Sequence, residues 1–139
     1  YFFKKMIDKE IIKIASRTEF VGLKKICTHK SFAKNSLCGD QIKIELVVNK
    51  TKIKSMRYET QSCILCEASA SLLARKIKNF YLKDLKESIK KIKNIKKTGK
   101  FYFPAKFKEF SKLLNKKSLG RINCVILPME ALLKAFKVK

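Results

Sequence analysis

The sequence predicts an α+β fold in which a small antiparallel β-sheet packs against several α-helices. Two patterns indicate this fold class. Apolar and polar side chains alternate over residues 42–59, which is typical of half-buried strands, whereas apolar residues recur every three or four positions in the flanking segments, which is typical of helices. No repeat and no linker divides the 139 residues. We therefore predict a single domain over residues 1–139, with residues 1–5 as a non-native or disordered extension.

The first third of the chain combines a helix with a polar stretch. Met6, Ile7, Ile11 and Ile14 lie at helical spacing and predict an amphipathic helix over residues 6–16. Residues 24–37 are polar and irregular, and we predict a loop there.

Two strands follow in the sequence. Residues 42–48 alternate in polarity and predict one strand, and residues 53–60 predict a second. Residues 49–52 supply a turn, so the two strands are expected to form an antiparallel hairpin. Residues 38–40 (Cys-Gly-Asp) stand at its entrance.

The second half of the chain is predicted to be mostly helical. Spacing of three and four residues predicts helices over residues 64–80 and 82–92, the first containing a small-residue stretch at 68–71 that permits close packing. Pro104 is expected to open a short helix. Pro128 is expected to open the last one, which runs to Phe136, because proline is tolerated at a first helical position. The intervening segments, 96–100 and 116–120, are predicted to be loops.

The net charge of +23 raises the possibility of a nucleic-acid partner. Lysine supplies nearly all of this charge, and only four arginines are present, although the planar arginine fork is the better reader of phosphates and bases. We therefore interpret most lysines as solvated faces. A patch for an acidic protein or for RNA stays open as an alternative.

Five cysteines are an odd number, which excludes a fully paired intramolecular disulfide framework. No apolar run approaches the roughly 20 residues that span a bilayer, and the apolar-then-basic start reverses the order of a secretory signal. We therefore predict a cytoplasmic protein without a membrane partner. In that reducing compartment, thiols more often bind metals or carry out chemistry.

Three cysteines and one aspartate form the candidate site. Cys38 and Asp40 flank Gly39, whose backbone freedom lets both side chains turn to one centre. Cys63 precedes a predicted helix, whose dipole favours the thiolate, and Cys124 lies in a segment with an apolar side. Three thiolates and a carboxylate suit zinc or the iron of an iron–sulfur cluster. Each residue taken alone also has a structural interpretation, as a turn residue or as a small buried side chain.

The other potential ligands are interpreted as structural. Cys63 and Cys66 spell Cys-x-x-Cys, but the second pair of a zinc knuckle and the βαβ context of a thioredoxin motif are both missing. We therefore interpret Cys66 mainly as a packing residue. Cys27 and His29 fall in the predicted loop, and His29, the one histidine, is interpreted as exposed.

Taken in order, three segments resemble the U-type iron–sulfur assembly family, which comprises IscU, SufU and the N-terminal domain of NifU. Residues 35–40 resemble the family's N-P-x-C-G-D with Ser36 in place of proline. Residues 62–71 resemble G-C-A-I-S-x-A-S-A-S, and residues 121–127 resemble R-x-x-C-x-x-L. The resemblance spans roughly residues 8–137. It is greater to the SufU-like or alphaproteobacterial branch, because IscU-like chains carry a histidine where this chain has Asn123.

The resemblance implies the family's α+β sandwich and a specific site. Cys38, Asp40, Cys63 and Cys124 would hold zinc or a labile [2Fe–2S] cluster. Cys38 would receive persulfide sulfur from a cysteine desulfurase, a role that Cys124 takes in the IscU-like alternative, and the cluster would pass to recipient apoproteins. Arg121 would orient the acceptor or stabilise its thiolate.

The resemblance leaves the activity open between a non-enzymatic scaffold and a zinc-dependent sulfurtransferase of the SufU type. Ser36, Ser62 and Cys66 depart from the family pattern and motivate a second hypothesis, a zinc-stabilised structural or regulatory module without sulfur transfer. The charge alone motivates a third, a basic nucleic-acid-binding protein.

Overall fold

The computed structural model describes residues 9–35, 39–100, 103–114 and 119–137, in which a three-stranded antiparallel sheet packs against helices. The predicted α+β fold class is confirmed. Residues 1–8, including the predicted extension and the start of the predicted first helix, lie outside the described residues, as do residues 36–38 with Cys38.

The sheet has the strand order β1 (His29–Asn35), β2 (Asp40–Asn49), β3 (Lys52–Gln61). The predicted hairpin is β2 and β3, with a bulge between Val47 and Val48. Side chains on one face of the central strand are fully buried, and those of Ile42, Ile44 and Leu46 are at most 1% exposed. We call this the inner face, and the opposite face the outer face.

The prediction of a loop over residues 24–37 was wrong for β1. This segment is polar and has little intrinsic strand preference, but it pairs along its whole length with β2. The Ser31 hydroxyl also donates a 2.6 Å hydrogen bond to the carbonyl of Ala131, 100 residues away. His29 therefore lies in a strand, where its ring packs edge-on against Phe136.

The helices follow the sheet in the chain, apart from the first. The α-helices are α1 (Lys9–Ala15), α2 (Ile64–Lys76), α3 (Leu82–Lys93), α4 (Ile95–Thr98) and α5 (Ile122–Lys137), and two 3₁₀ segments span Ala105–Lys112 and Leu119–Arg121.

Helix α2 ends four residues before its predicted end at Phe80. The chain beyond it hydrogen-bonds to the edge of β3: the Asn79 N–H donates to the Ile53 carbonyl at 2.8 Å, and the Ile53 N–H donates to the Phe80 carbonyl at 2.9 Å. These bonds replace those of a continuing helix and cover the β3 edge.

The segments between α3 and α5 differ in part from the prediction. Residues 96–98 of the predicted basic turn belong to α4, which is followed by Gly99 in the left-handed conformation (φ +70°). The segment after Pro104 is a 3₁₀ helix, and it buries Phe107 and Phe110 as the predicted apolar stripe requires. Residues 116–118 of the predicted loop lie outside the described residues, and Leu119–Arg121 forms a 3₁₀ turn.

Helix α5 begins at Ile122, so the prediction that Pro128 opens it was wrong. Pro128 stands inside the helix and supplies no N–H to the carbonyl of Cys124, a defect that costs about 3 kcal/mol in an isolated helix. The helix continues because the side chains of residues 124–129 are all buried, and this burial offsets the lost hydrogen bond. The Ser69 hydroxyl donates a 2.5 Å hydrogen bond to the Val125 carbonyl next to the break.

The core lies between the inner face of the sheet and the pair α2 and α5. The small side chains of α2 at residues 68–71 are buried, as the predicted close packing requires, and they face α1 and α5. No helix among the described residues packs on the outer face of the sheet. Within the same residues, none of the helices is long and apolar enough to cross a membrane.

We expect Ser69→Ala to lower the free energy of unfolding by about 1–3 kcal/mol, because it leaves the buried Val125 carbonyl without this donor. Chemical denaturation monitored by circular dichroism measures the effect. Ser16→Ala is the matched control: its hydroxyl bonds to the Lys13 carbonyl at an exposed position, where the loss should stay within about 0.5 kcal/mol. Equal losses in the two variants would contradict the role of Ser69 in joining α2 to α5.

Candidate functional site

Three side chains from distant parts of the sequence meet at one end of the sheet. Asp40 is the first residue of β2, Cys63 immediately precedes α2, and Cys124 lies in the first turn of α5. One ligand atom from each lies within 4.8 Å of the others, and no other group of three potential metal ligands forms among the described residues. The sheet and two helices thus bring together three of the four predicted site residues. The fourth, Cys38, lies outside the described residues.

Asp40 is held in place by the backbone that follows β3. Its side chain is buried, and its Oδ1 accepts a 3.1 Å hydrogen bond from the Cys63 N–H. Its Oδ2 lies 3.5 Å from the Cys63 sulfur. Gly39, with φ of +75°, adopts the left-handed conformation expected of it, and its N–H closes the turn onto the Asn35 carbonyl at 2.8 Å. One carboxylate oxygen is therefore anchored, while the other is directed to the sulfurs.

Cys63 occupies the N-cap position of α2, in extended conformation. Its pKa is lowered to about 6, chiefly because the Cys124 side chain hydrogen-bonds to it, with help from the Cys66 backbone N–H and the positive charge of Arg121. Burial and the nearby Asp40 carboxylate act in the opposite direction. The Cys63 side chain makes no regular N-cap hydrogen bond. The Cys66 N–H nevertheless points its positive end at the Cys63 sulfur and stabilises the thiolate. Cys63 therefore favours the thiolate form near neutral pH.

Cys124 is the complementary partner of this thiolate. The hydrogen bond to Cys63, followed by burial, raises the pKa of Cys124 well above that of an ordinary thiol. The two sulfurs therefore share one proton, which stays on Cys124 and is directed at Cys63. Such a pair carries one negative charge. If a cation displaced the proton, both sulfurs would be thiolates and could bind it.

Arg121 stands beside both sulfurs. It lies in the 3₁₀ turn before α5 and is half-buried. Hydrogen bonds to Cys124 and Cys63, together with the charges of both sulfurs, raise the pKa of its guanidinium. The arginine that the sequence suggested as an electrostatic assistant therefore lies within reach of both thiols.

The remaining cysteines and the histidine are placed elsewhere. Cys66 is fully buried in the core, and burial raises its pKa to about 12, which makes its thiol unreactive. Cys27 is half-buried and unpaired with any cysteine, and His29 contacts Phe136 and Thr28. None of these three belongs to the cluster of potential ligands.

The sequence interpretation missed one contribution to the site, the backbone amide of Cys66. The signal was present in the Cys-x-x-Cys spacing, because an N-cap side chain is approached by the N–H groups two and three residues further on. The second cysteine of the motif thus supports the first through its amide and not through its sulfur.

The donor set fits a soft or borderline metal ion. Two sulfurs and a carboxylate within 4.8 Å of one another match the roughly 3.8 Å ligand separations of tetrahedral zinc–thiolate sites after a small contraction. The same set suits an iron of an iron–sulfur cluster, and the harder carboxylate is the weaker ligand for such ions.

Comparison with known proteins supports one family. Residues 16–135 match the family model described as the NifU-like N terminal domain. The chain is 27% identical over 136 residues to the iron–sulfur cluster assembly scaffold protein IscU of Thermotoga maritima, with 97% of this chain and 95% of that protein covered. It is 23% identical over 124 residues to an uncharacterized protein of Borreliella burgdorferi, with 89% and 84% covered.

Two solved structures share the fold. The N-terminal part of a nitrogen-fixing NifU-like protein from Brucella abortus superimposes with a TM-score of 0.87 at 17% identity, covering 99% of this chain and 96% of that one. A putative iron–sulfur cluster assembly scaffold protein for the SUF system from Fervidobacterium islandicum gives 0.85 at 20% identity, with 94% and 96% covered. These likenesses establish the fold, and the match over residues 16–135 establishes the family. The chain belongs to the NifU-like N-terminal domain family, the family of the IscU- and SufU-type iron–sulfur cluster assembly scaffolds.

Proposed function

We propose that this protein is an iron–sulfur cluster assembly scaffold that accepts sulfur from a cysteine desulfurase and holds iron or a nascent [2Fe–2S] cluster as its cargo. The observation that carries the proposal is the convergence of Asp40, Cys63 and Cys124 within 4.8 Å, from three separate structural elements. Cys38, two residues before Asp40 in the sequence, is proposed as the fourth ligand.

The proposed sulfur transfer is a thiol–persulfide exchange. A cysteine thiolate of this chain attacks the outer sulfur of the donor persulfide, a new S–S bond forms, the donor S–S bond breaks, and the donor cysteine leaves as a thiolate. No oxidant is needed, because the sulfane sulfur only changes partner.

The burial of Cys124 argues against it as the acceptor, and Cys38 is therefore the proposed acceptor. Cys124 is fully buried and holds its proton, both of which oppose nucleophilic attack on a large partner's persulfide. Cys63 is half-buried and its lowered pKa favours the thiolate, so it is suited to bind the incoming iron or sulfide. Arg121 is proposed to hold the negative charge of the sulfurs in position before cargo arrives.

The mixed donor set explains how a scaffold could release what it holds. A carboxylate binds iron of a cluster or zinc less tightly than a thiolate does. Asp40 also accepts a hydrogen bond from the Cys63 N–H, and it keeps this partner when it dissociates from the cargo. Release therefore needs no rearrangement of the fold.

The first test is anaerobic reconstitution with ferrous iron, cysteine and a cysteine desulfurase, followed by absorption spectroscopy and iron and sulfide analysis. We expect a cluster chromophore that falls to background in Cys63→Ser and Cys124→Ser, because each variant removes a soft ligand. Cys27→Ser is the matched control, since Cys27 is a free cysteine outside the cluster of ligands. A chromophore retained in both site variants would refute the assignment.

Cys38→Ser separates the proposal from the zinc-module alternative. We expect it to abolish both the chromophore and the transfer of ³⁵S from the desulfurase persulfide. One tightly bound zinc, no labelled sulfur on any cysteine, and unfolding on chelation would instead indicate a structural module.

The reactivity of Cys63 in the metal-free protein tests the prepared thiolate. Because its folded pKa of about 6 lies below the ordinary thiol value of about 8.5, Cys63 should stay ionised and react with iodoacetamide down to a midpoint near pH 6. Peptide mass spectrometry over a pH series measures this midpoint. Cys124→Ala and Arg121→Gln should each move it upward, because each removes a stabilising contact. A midpoint near pH 8.5 in the unaltered chain would contradict the description of the pair.

A further inference from the structure

The outer face of the sheet presents apolar surface that no described element covers. Phe32 on β1 is 40% exposed and Val21, beside β3, is 39% exposed. Phe32 faces Lys43 on β2, which in turn faces Glu59 on β3, so the row crosses the sheet. An exposed aromatic on a sheet face, surrounded by polar residues, is a feature of interaction surfaces.

Two grooves flank the Phe32–Lys43 pair. The first, of about 290 Å³, runs from Phe32 across Lys43 to Val21 and includes Gln41 and Gln61. The second, of about 400 Å³, lies between Leu23 and Phe32, with Lys30, Lys43 and Lys134 along its sides. The first groove leads toward the cluster of ligands, because Gln41 follows Asp40 and Gln61 stands two residues before Cys63 in the sequence.

The charges around the second groove, which we call the basic groove, are unbalanced. Its carboxylate, Glu45, is nearly buried and already accepts hydrogen bonds from the backbone N–H groups of Lys24 and Lys25. Lys30 and Lys43 are exposed and free of ion pairs in the described part of the chain, and the Lys134 ammonium contacts only the Phe32 carbonyl, at 2.8 Å. The groove therefore presents an apolar floor between cations.

We propose that the basic groove is a docking surface for an acidic partner protein, which places an apolar side chain between Leu23 and Phe32 and carboxylates against Lys30 and Lys43. Charge complementarity selects this occupant. A second copy of this chain would bring the same lysines and a further net charge of +23, which opposes self-association. The inference rests on the outer face of the sheet alone and does not depend on iron–sulfur chemistry.

The partner would approach along the β1 edge. The Phe32 carbonyl accepts a 2.8 Å hydrogen bond from the Lys134 ammonium, which holds this cation beside β1. Lysine at an edge strand prevents pairing with unrelated strands. An acidic partner can neutralise this cation and gain access to the edge, whereas a basic or neutral one cannot, so the same residue provides selectivity.

The test is a titration of the ¹⁵N-labelled full chain with a synthetic peptide that carries leucine and phenylalanine between glutamates, followed by NMR. Two comparison peptides separate the contributions: one replaces the apolar residues with serine, and the other replaces the glutamates with lysine. We expect the acidic–apolar peptide to shift the amides around Phe32 and Lys43 and to bind about tenfold more tightly than the serine peptide. The lysine peptide should not bind.

Matched variants locate the site. Phe32→Ala and the double variant Lys30→Gln/Lys43→Gln should each weaken binding about tenfold, because they remove the anchor contact or the charges. Tyr81→Ala removes an exposed aromatic ring and Lys90→Gln/Lys97→Gln removes two exposed charges elsewhere, and both variants should leave the affinity unchanged. The altered side chains are exposed, so the fold should survive, which circular dichroism verifies.

Three outcomes would overturn the proposal. Equal binding of the serine peptide, or equal losses in the control variants, would reduce the effect to general attraction by surface lysines. Self-association in sedimentation experiments that Phe32→Ala abolishes would make a second copy the occupant. Cluster assembly is measured in the same variants to separate this proposal from the proposed function. A variant that loses peptide binding but assembles clusters normally is altered only in the basic groove.

Discussion

The site depends on the control of negative charge. Asp40, Cys63 and Cys124 lie within 4.8 Å of one another in a partly buried place, and three anions there would repel strongly. The fold reduces this repulsion in three ways: a proton kept on Cys124, the guanidinium of Arg121 and the N-terminal end of α2. The three side chains can therefore stay close together, and in the proposed function a bound cation replaces the proton.

Rigid packing away from the site makes this charge arrangement possible. Cys63 precedes α2 and Cys124 lies in the first turn of α5, so the separation of the two sulfurs depends on how closely these helices approach. The small residues of α2 allow that approach. The Ser69–Val125 hydrogen bond holds the two helices together beside the position where Pro128 removes a helical hydrogen bond. Asp40 comes from the central strand, which is paired on both sides. The ligands thus sit at the ends of elements whose positions are fixed by the core.

The two faces of the sheet differ in burial and in chemistry. The inner face provides the core with Ile42, Ile44 and Leu46, and the outer face carries the exposed Phe32 among lysines. This asymmetry is ordinary for an antiparallel sheet, but an exposed aromatic beside a basic groove is not needed for folding. In the proposed docking role, the lysines that contribute are those that surround the apolar floor of the basic groove.

The sequence by itself determined the fold class, the β2–β3 hairpin, α3 and the residues that could serve as ligands, because local periodicity and residue chemistry encode these features. Tertiary structure decided the rest. Strand β1 forms from a polar segment because β2 and Ala131 supply its hydrogen bonds, and α5 extends through Pro128 because burial outweighs the lost bond. Likewise, the position of Cys63 before a helix predicted a thiolate there, but nothing in the chain predicted that Cys63 and Cys124 form a pair in which Cys63 is the thiolate and Cys124 the thiol. That distinction arises from a contact between residues 61 positions apart, from the helix end at one of them, and from burial at the other.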